Sequence, residues 1–307
     1  MLELYLLGTG GMMPLPNRFL TSMYLRYNGK AILVDCGEGT QIAMKKRGVS
    51  FKAIDVICIT HFHADHVSGL PGLLLTIGNA ERTEPITIVG PRGIEKIVSA
   101  LRTIAPELPF PIQYRELKEN EEEFQMCGLD IKAYKVKHNV VCYGYFFGLK
   151  RAGKFDLEKA KQKNIPMQYW KRLQKGEVIK DGENTYTSDM VLGPERKGLS
   201  VAYCTDTRPV PVITEHAKNV DLFICEGMYG EEGKEEKAKE YKHMTFYEAA
   251  HIAKEAKVKK MWLTHYSPSL VRPEEYLDKA REIFPETYTC KDGEYVLLEF
   301  AEESPNA

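Results

Sequence analysis

The run His61-Phe62-His63-Ala64-Asp65-His66 puts three imidazoles and a carboxylate within six residues. Buried together without a cation, these groups would need many compensating hydrogen bonds, because each loses its water. Metal binding is the chemistry that such a cluster serves. Imidazole and carboxylate ligands without thiolate suit zinc and also admit manganese or iron. His61 and His63 share a face of an extended chain, as do His63 and Asp65, and a turn at Asp65-His66 can divide the group between two ions.

Other elements must hold this cluster in place. The apolar run Val56–Ile59 reads as a buried strand leading straight into it, and Val67–Ile77 follows with helical character. Four further candidates stand at the ends of apolar runs: Asp35 after Ala31–Val34, His138 after Ile131–Lys137, Asp206 after Leu199–Cys204 and His265 after Met261–Thr264. An α/β sheet gathers such strand-end loops along one edge, where ligands bind. Strands are also expected at Leu2–Leu7, Ile86–Val89, Asp221–Cys225 and Tyr295–Glu299, with a hairpin of Met23–Tyr27 and Ala31–Val34 turned by Asn28-Gly29. Helices are expected at Gly93–Ile104, Thr245–Ala256 and Pro273–Phe284. Two strand-rich layers with outer helices make an α/β fold, an αββα sandwich.

The chain has 307 residues, 43% of them hydrophobic, enough to bury a large core without staples. Lys plus Arg is 42 and Asp plus Glu is 43, so a charged partner must be sought in local clusters. One such cluster lies between Lys150 and Lys180, where ten cations face three anions, an excess of 10 − 3 = +7. Phe155, Tyr169 and Trp170 are interleaved with them, and a basic excess with aromatics suits a phosphate backbone. The candidate RNA contacts are Lys154, Lys161, Lys163, Lys171, Arg172 and Lys175. The polar segment Asp181–Gly198 follows with weak periodicity. The seven cysteines, odd in number and without a C-x-x-C pair, read as small buried hydrophobes in a reducing compartment. The start of the chain reads as a strand and not a signal peptide, and no apolar run approaches about 18 residues. The expected location is the cytoplasm, with no membrane partner.

H-x-H-x-D-H followed by single His, Asp and His residues at strand ends resembles the pattern of the metallo-β-lactamase superfamily. Within it the chain is similar to the ribonuclease Z family, endonucleases that trim tRNA precursors on the 3′ side. The similarity runs through Leu6-Leu7-Gly8-Thr9-Gly10, Asp35-Cys36-Gly37-Glu38-Gly39-Thr40, Gly69-Leu70-Pro71-Gly72-Leu73, Gly90-Pro91, Asp206-Thr207-Arg208 and Leu263-Thr264-His265. The resemblance implies two zinc ions per chain, with Mn2+ or Fe2+ as possible substitutes. His61, His63 and His138 would hold one ion, Asp65, His66 and His265 the other, and Asp206 would bridge. It also implies hydroxide attack on the phosphodiester, with Asp65 as both ligand and orienter of the hydroxide, a homodimer, and Asp35 fixing a ligand imidazole through its other nitrogen.

By the same resemblance His243, in His243-Met244-Thr245, lies near the scissile phosphate with Glu226 as its acid partner, and would protonate the leaving 3′ oxygen. The expected organisation is a first αβ half over 1–149, an inserted flexible basic arm that grips tRNA over 150–197, and a second αβ half over 198–307. Asn164-Ile165-Pro166 and Gln174-Lys175-Gly176-Glu177 resemble that arm. The chain departs from the family pattern at Pro14–Phe19, Met167–Tyr169 and Cys225–Met228, which bears on substrate fit and cleavage position. Two alternatives stay open: a phosphodiesterase of the same fold acting on small or cyclic phosphodiesters, and a non-catalytic RNA-binding paralogue.

Overall fold

Strand Ile54–Cys58 is almost wholly apolar because both of its faces are covered, the usual state of a parallel strand under helices. In the computed structural model, which describes residues 1–301, it lies inside a seven-stranded sheet. The strand order is Glu294–Leu298, Leu2–Gly8, Ser22–Tyr27, Lys30–Val34, Ile54–Cys58, Ile86–Pro91 and Ile112–Leu117. The last four run parallel and the first four antiparallel. The Asn28-Gly29 hairpin forms as its residue types demand, with φ of 48° and 80° at the turn.

A second seven-stranded sheet has the order Thr287–Thr289, Met261–Thr264, Leu222–Glu226, Arg196–Cys204, Cys142–Arg151, Leu129–Val136 and Glu121–Met126. Each sheet shares a hydrophobic cluster with its own helices. One joins Ile57 and Ile88 to Leu70, Leu73, Leu74 and Val98; the other joins Phe223 and Leu263 to Phe246, Ala250 and Ala253. The fold is the α/β sandwich expected from the sequence.

Several details differ from the sequence reading. The helix expected at Val67–Ile77 is two helices, Ala64–Val67 and Leu70–Asn79, parted at Ser68-Gly69. The one at Pro273–Phe284 opens with a 3-10 turn, Pro273–Tyr276, before Leu277–Ile283. Helix Thr40–Arg47 and strands Ile112–Leu117, Glu121–Met126 and Cys142–Arg151 were not expected. Glu121–Met126 is an edge strand with exposed glutamates, so it lacks a strand's apolar composition. All seven cysteines are free and six are buried.

By their contacts the residues form two compact units, one comprising Met1–Gly148 with the chain from Ser200 onward, the other Leu149–Leu199. The smaller unit has helices Leu157–Gln162 and Met167–Gln174 and a ribbon of Ile179–Asp181 with Asn184–Tyr186. Its core is Ala160, Ile165, Leu173, Ile179, Val191 and Leu192. Phe155, Tyr169 and Trp170 pack against that core, and Trp170 Nε1 donates to Ile165 O at 2.9 Å. The aromatics read as interleaved with the cations therefore serve packing, while Lys154, Lys161, Lys163, Lys171, Arg172 and Lys175 are all exposed.

Candidate metal centre

Five strands end at one edge of the larger unit and hand over to the chemically active residues. Val34 is followed by Asp35, Cys58 by the loop to His61, Cys204 by Asp206 and Thr264 by His265, while Glu226 is itself a strand's last residue. Cys204 pairs with Cys225 and Glu226 with Thr264 across parallel neighbours, so the register levels these ends. His138 comes from the end of Leu129–Val136. The extended run of the motif stops at His63 (φ −67°, ψ 151°), which caps the helical turn Ala64–Val67 carrying Asp65 and His66. Asp65 thus leaves the face that the sequence reading gave it.

Close backbone approach seats that turn. A Cβ on Gly37 would lie 2.0 Å from Asp65 O, and one on Gly69 would lie 2.1 Å from Gly37 O. With glycine at both places, Cys36 N donates to His66 O at 2.8 Å and Gly69 N to Cys36 O at 2.9 Å. Asp35, Asp206 and His265 adopt positive φ of 60°, 48° and 58°, a costly conformation that the surrounding packing must hold.

The side chains converge in two groups. His61 Nε2 lies 3.0 Å from His63 Nδ1 and 3.6 Å from Asp206 Oδ2; His138 Nε2 lies 3.3 Å from His63 Nδ1 and 3.8 Å from the same oxygen. In the second group, Asp65 Oδ2 is 3.5 Å from His66 Nε2 and 3.6 Å from His265 Nε2. Asp206 Oδ1 is 3.3 Å and 3.1 Å from the same two nitrogens. The two oxygens of Asp206 therefore face different groups. Tetrahedral ligands at about 2.0–2.1 Å from a cation stand about 3.3 Å apart, which matches these separations. His66 Nε2, His265 Nε2 and Asp206 Oδ1 are buried and make no hydrogen bond, so their lone pairs have no protein partner. The residues present fit a pair of cations.

Behind the groups, Asp35 is fully buried and its Oδ2 lies 2.8 Å from His66 Nδ1. Thr60, which sequence reasoning missed, joins it. Its Oγ1 lies 2.9 Å from Asp35 Oδ2 and 3.0 Å from His61 Nδ1, and its N–H donates to Asp35 Oδ1 at 2.8 Å. In the pattern that suits metal ligation, His61 Nδ1–H donates to Thr60 Oγ1, Thr60 donates to Asp35, and His66 Nδ1–H donates to Asp35. Both imidazoles then aim an Nε2 lone pair at the centre. A threonine beside a ligand carries no special sequence signal. His138 is held similarly, with Nδ1 at 3.2 Å from Lys242 O.

Burial pushes the pKa of His61 and His138 down, which favours the neutral, ligating form. Against burial, the adjacent His265 and His66 imidazoles hold Asp65 well below the usual carboxylate range. Burial likewise disfavours charge on His243, but the adjacent Glu226 carboxylate, then Asp206 and Asp65, raise it to about 9. His243 Nδ1 is 3.0 Å from Glu226 Oε2, which also accepts Met244 N at 3.2 Å, while Glu226 Oε1 accepts Thr207 N. Thr245 caps helix Phe246–Glu255 with Glu248 in a capping box, and Arg208 bonds both Glu248 and His243 O. His243 also offers a nitrogen to a third group with Asp206 and His265. His216 stays apart, stacked on Tyr134 and bonded to Glu121, and His251 lies exposed on a helix.

Two seven-stranded sheets with a buried His/Asp centre at one edge define a hydrolase of the metallo-β-lactamase fold. A crystal structure of human tRNase Z, short form, superposes with a TM-score of 0.70 at 24% identity over 97% of this chain and all of that one. The Ribonuclease Z of Lachnospira eligens is 60% identical over 99% of this chain and all of its own length, and that of Agathobacter rectalis is 61% identical with the same coverage. A family profile described as "Anti-Pycsar protein Apyc1" also matches residues 2–282. The chain belongs to the ribonuclease Z family of metallo-β-lactamase-fold, metal-dependent hydrolases, within a group that this profile also describes.

Proposed function

We propose that this protein is an endoribonuclease that cuts precursor tRNA on the 3′ side with two zinc ions. The observation that carries the reading is a pair of ligand groups sharing Asp206, with His243–Glu226 beside them, in a chain 60% identical along its length to a Ribonuclease Z. His61, His63 and His138 would hold one ion and Asp65, His66 and His265 the other, with Asp206 presenting one oxygen to each group. The bound ions supply charge neutralisation for the phosphate oxygens and make water a nucleophile at neutral pH. The protein's part is orientation and proton handling. Asp65, fixed by Met12 N at 2.8 Å, orients the attacking water, and His243, kept protonated by Glu226, delivers a proton to the departing 3′ oxygen.

The smaller unit supplies tRNA affinity through exposed cations that include Lys154, Lys161, Lys163, Lys171, Arg172 and Lys175, and between Lys150 and Lys180 cations outnumber anions by ten to three. Between Lys150 and Lys180, Asp156 caps a helix, Glu158 pairs with Lys161 and Glu177 with Arg172, so the three anions of that stretch are engaged within the unit itself. A homodimer in the cytoplasm is the setting this reading implies, and light scattering tests the dimer. Among the described residues no helix is long and apolar enough to cross a membrane.

The second reading, hydrolysis of small or cyclic phosphodiesters, is favoured by one feature: the metal-centre floor opens into a cavity of about 560 Å³, room for a single nucleotide. One experiment separates the readings: kcat/KM, with zinc added and removed, on precursor tRNA, on a cyclic nucleotide and on a chromogenic phosphodiester. Cleavage of precursor tRNA at its 3′ side is the expected result. Turnover of the small substrates alone overturns the tRNA assignment.

A further inference from the structure

The rim of the metal-centre cavity carries side chains that the hydrolytic chemistry does not use. Met12 and Met13 are 64% and 54% exposed and Tyr241 is 48% exposed, and all three line the cavity whose floor holds Asp65, Asp206 and His265. The backbone places the two thioethers there at a cost. Met12 has φ 68°, a conformation that side-chain-bearing residues rarely adopt, held because Met12 N donates to Asp65 Oδ2 at 2.8 Å and Gly11 N to Tyr266 O at 2.9 Å. The loop that steadies a ligand carboxylate thus also turns two soft, polarisable side chains toward solvent. From another wall, the short helix Glu235–Tyr241 presents Lys237 and Tyr241 one turn apart, both to the cavity.

We propose that Met12, Met13 and Tyr241 form a nucleobase subsite, which holds the base of the nucleotide next to the phosphodiester under attack, with Lys237 as the cation beside it. The inference rests on the phosphodiesterase chemistry of the site and is indifferent to whether the nucleotide is free or part of RNA. The occupant follows from continuity with the hydrolytic floor. A phosphate seated over Asp206 leaves its nucleoside within the same cavity, where it meets a phenol ring and thioethers. An aromatic ring stacks on any base, and methionine sulfur makes favourable contacts with aromatic rings. None of the three side chains is a matched donor–acceptor pair for a base edge, so the subsite tolerates all bases.

The test uses the zinc-loaded full-length protein and calorimetric titration with CMP, AMP and ribose 5-phosphate, which share a phosphate and a sugar but not a base. The expected result is that both nucleotides bind about 5- to 100-fold tighter than ribose 5-phosphate, the range of one stacked base. Tyr241→Phe keeps that gap and Tyr241→Ala narrows it. Met13→Ala with Tyr241→Ala removes most of it, with ribose 5-phosphate affinity unchanged and metal content and circular dichroism as in the unaltered protein. No preference for nucleotides in the unaltered protein, or a gap that survives the double variant undiminished, overturns the subsite. Precursor tRNA cleavage is measured on the same preparations. A nucleotide preference without tRNA cleavage rejects the endoribonuclease reading alone, and tRNA cleavage without the preference rejects the subsite alone.

Discussion

The two units of this chain handle charge in opposite ways. In the larger one, Asp35, Asp206, His61, His66 and His265 are buried, and each is placed by a different strand end or by the motif loop. In the smaller one, a core of six apolar residues from 51 consecutive positions carries its cations outward. The contrast teaches what each task demands. Hydrolysis needs several groups fixed to within a fraction of an ångström, so it draws on residues far apart in sequence and on strained backbone. Holding a polyanion, the task proposed for the smaller unit, needs presented charge, which a locally folded scaffold supplies. Damage to the first should be all-or-none, and damage to the second graded.

The largest effect is expected at the shared ligand. Asp206→Ala should empty both groups and abolish phosphodiester hydrolysis, read by elemental analysis and by activity on tRNA and a small substrate. Retained activity without metal would break the contrast at its root. Next, His243→Ala should lower kcat by roughly 10²–10⁴-fold with metal content unchanged, the usual range for a general acid. Glu226→Gln should act in the same direction and not add fully to it. Loss of metal in His243→Ala would instead make His243 a ligand, as its position beside Asp206 and His265 allows.

Thr60→Val should weaken zinc binding by about 10- to 100-fold, the usual result of losing a partner behind a ligand, while the apoprotein stays folded. Competition with a chelator measures it. For the smaller unit, deletion of about Gly153–Lys180 should raise KM for precursor tRNA and flatten the salt dependence, a log–log slope of about −0.7 to −0.9 per phosphate contacted. Turnover of a small phosphodiester should persist. Unchanged tRNA cleavage would remove the binding role from this unit.

The smallest expected effect concerns pH and the metal-free protein. His243 is raised from its ordinary value of 6.5 to about 9 because burial is outweighed by Glu226, Asp206 and Asp65. The folded state therefore binds that proton more tightly than the unfolded one. The stabilisation is fully present below about 6.5 and is lost as pH rises through about 9. Urea titrations of the apoprotein between these limits should show stability falling with pH, and His243→Ala should flatten that fall.

Much of the site was legible locally. His63, Asp65 and their neighbours stand out because imidazole and carboxylate side chains rarely crowd one apolar strand end for any other purpose. Thr60 and Lys242 were not legible, since their parts depend on one hydroxyl and one carbonyl placed by tertiary packing. The aromatics of the smaller unit misled for the same reason: composition records their presence among lysines, not that Trp170 and Tyr169 turn inward.

By itself, then, the sequence determined which residue types were available for chemistry, the strand-then-loop setting of each, and a local excess of ten cations over three anions. These follow from side-chain chemistry and from hydrophobic periodicity, which are properties of neighbouring residues. Only the tertiary structure decided that Asp206 turns one oxygen to each group, that Asp35 and Thr60 orient two imidazoles together, and that Met12 is held outward by the bond that steadies Asp65. Those depend on strand register, on two glycine contacts and on φ values that the surrounding packing imposes, and such terms are sums over residues distant in the chain.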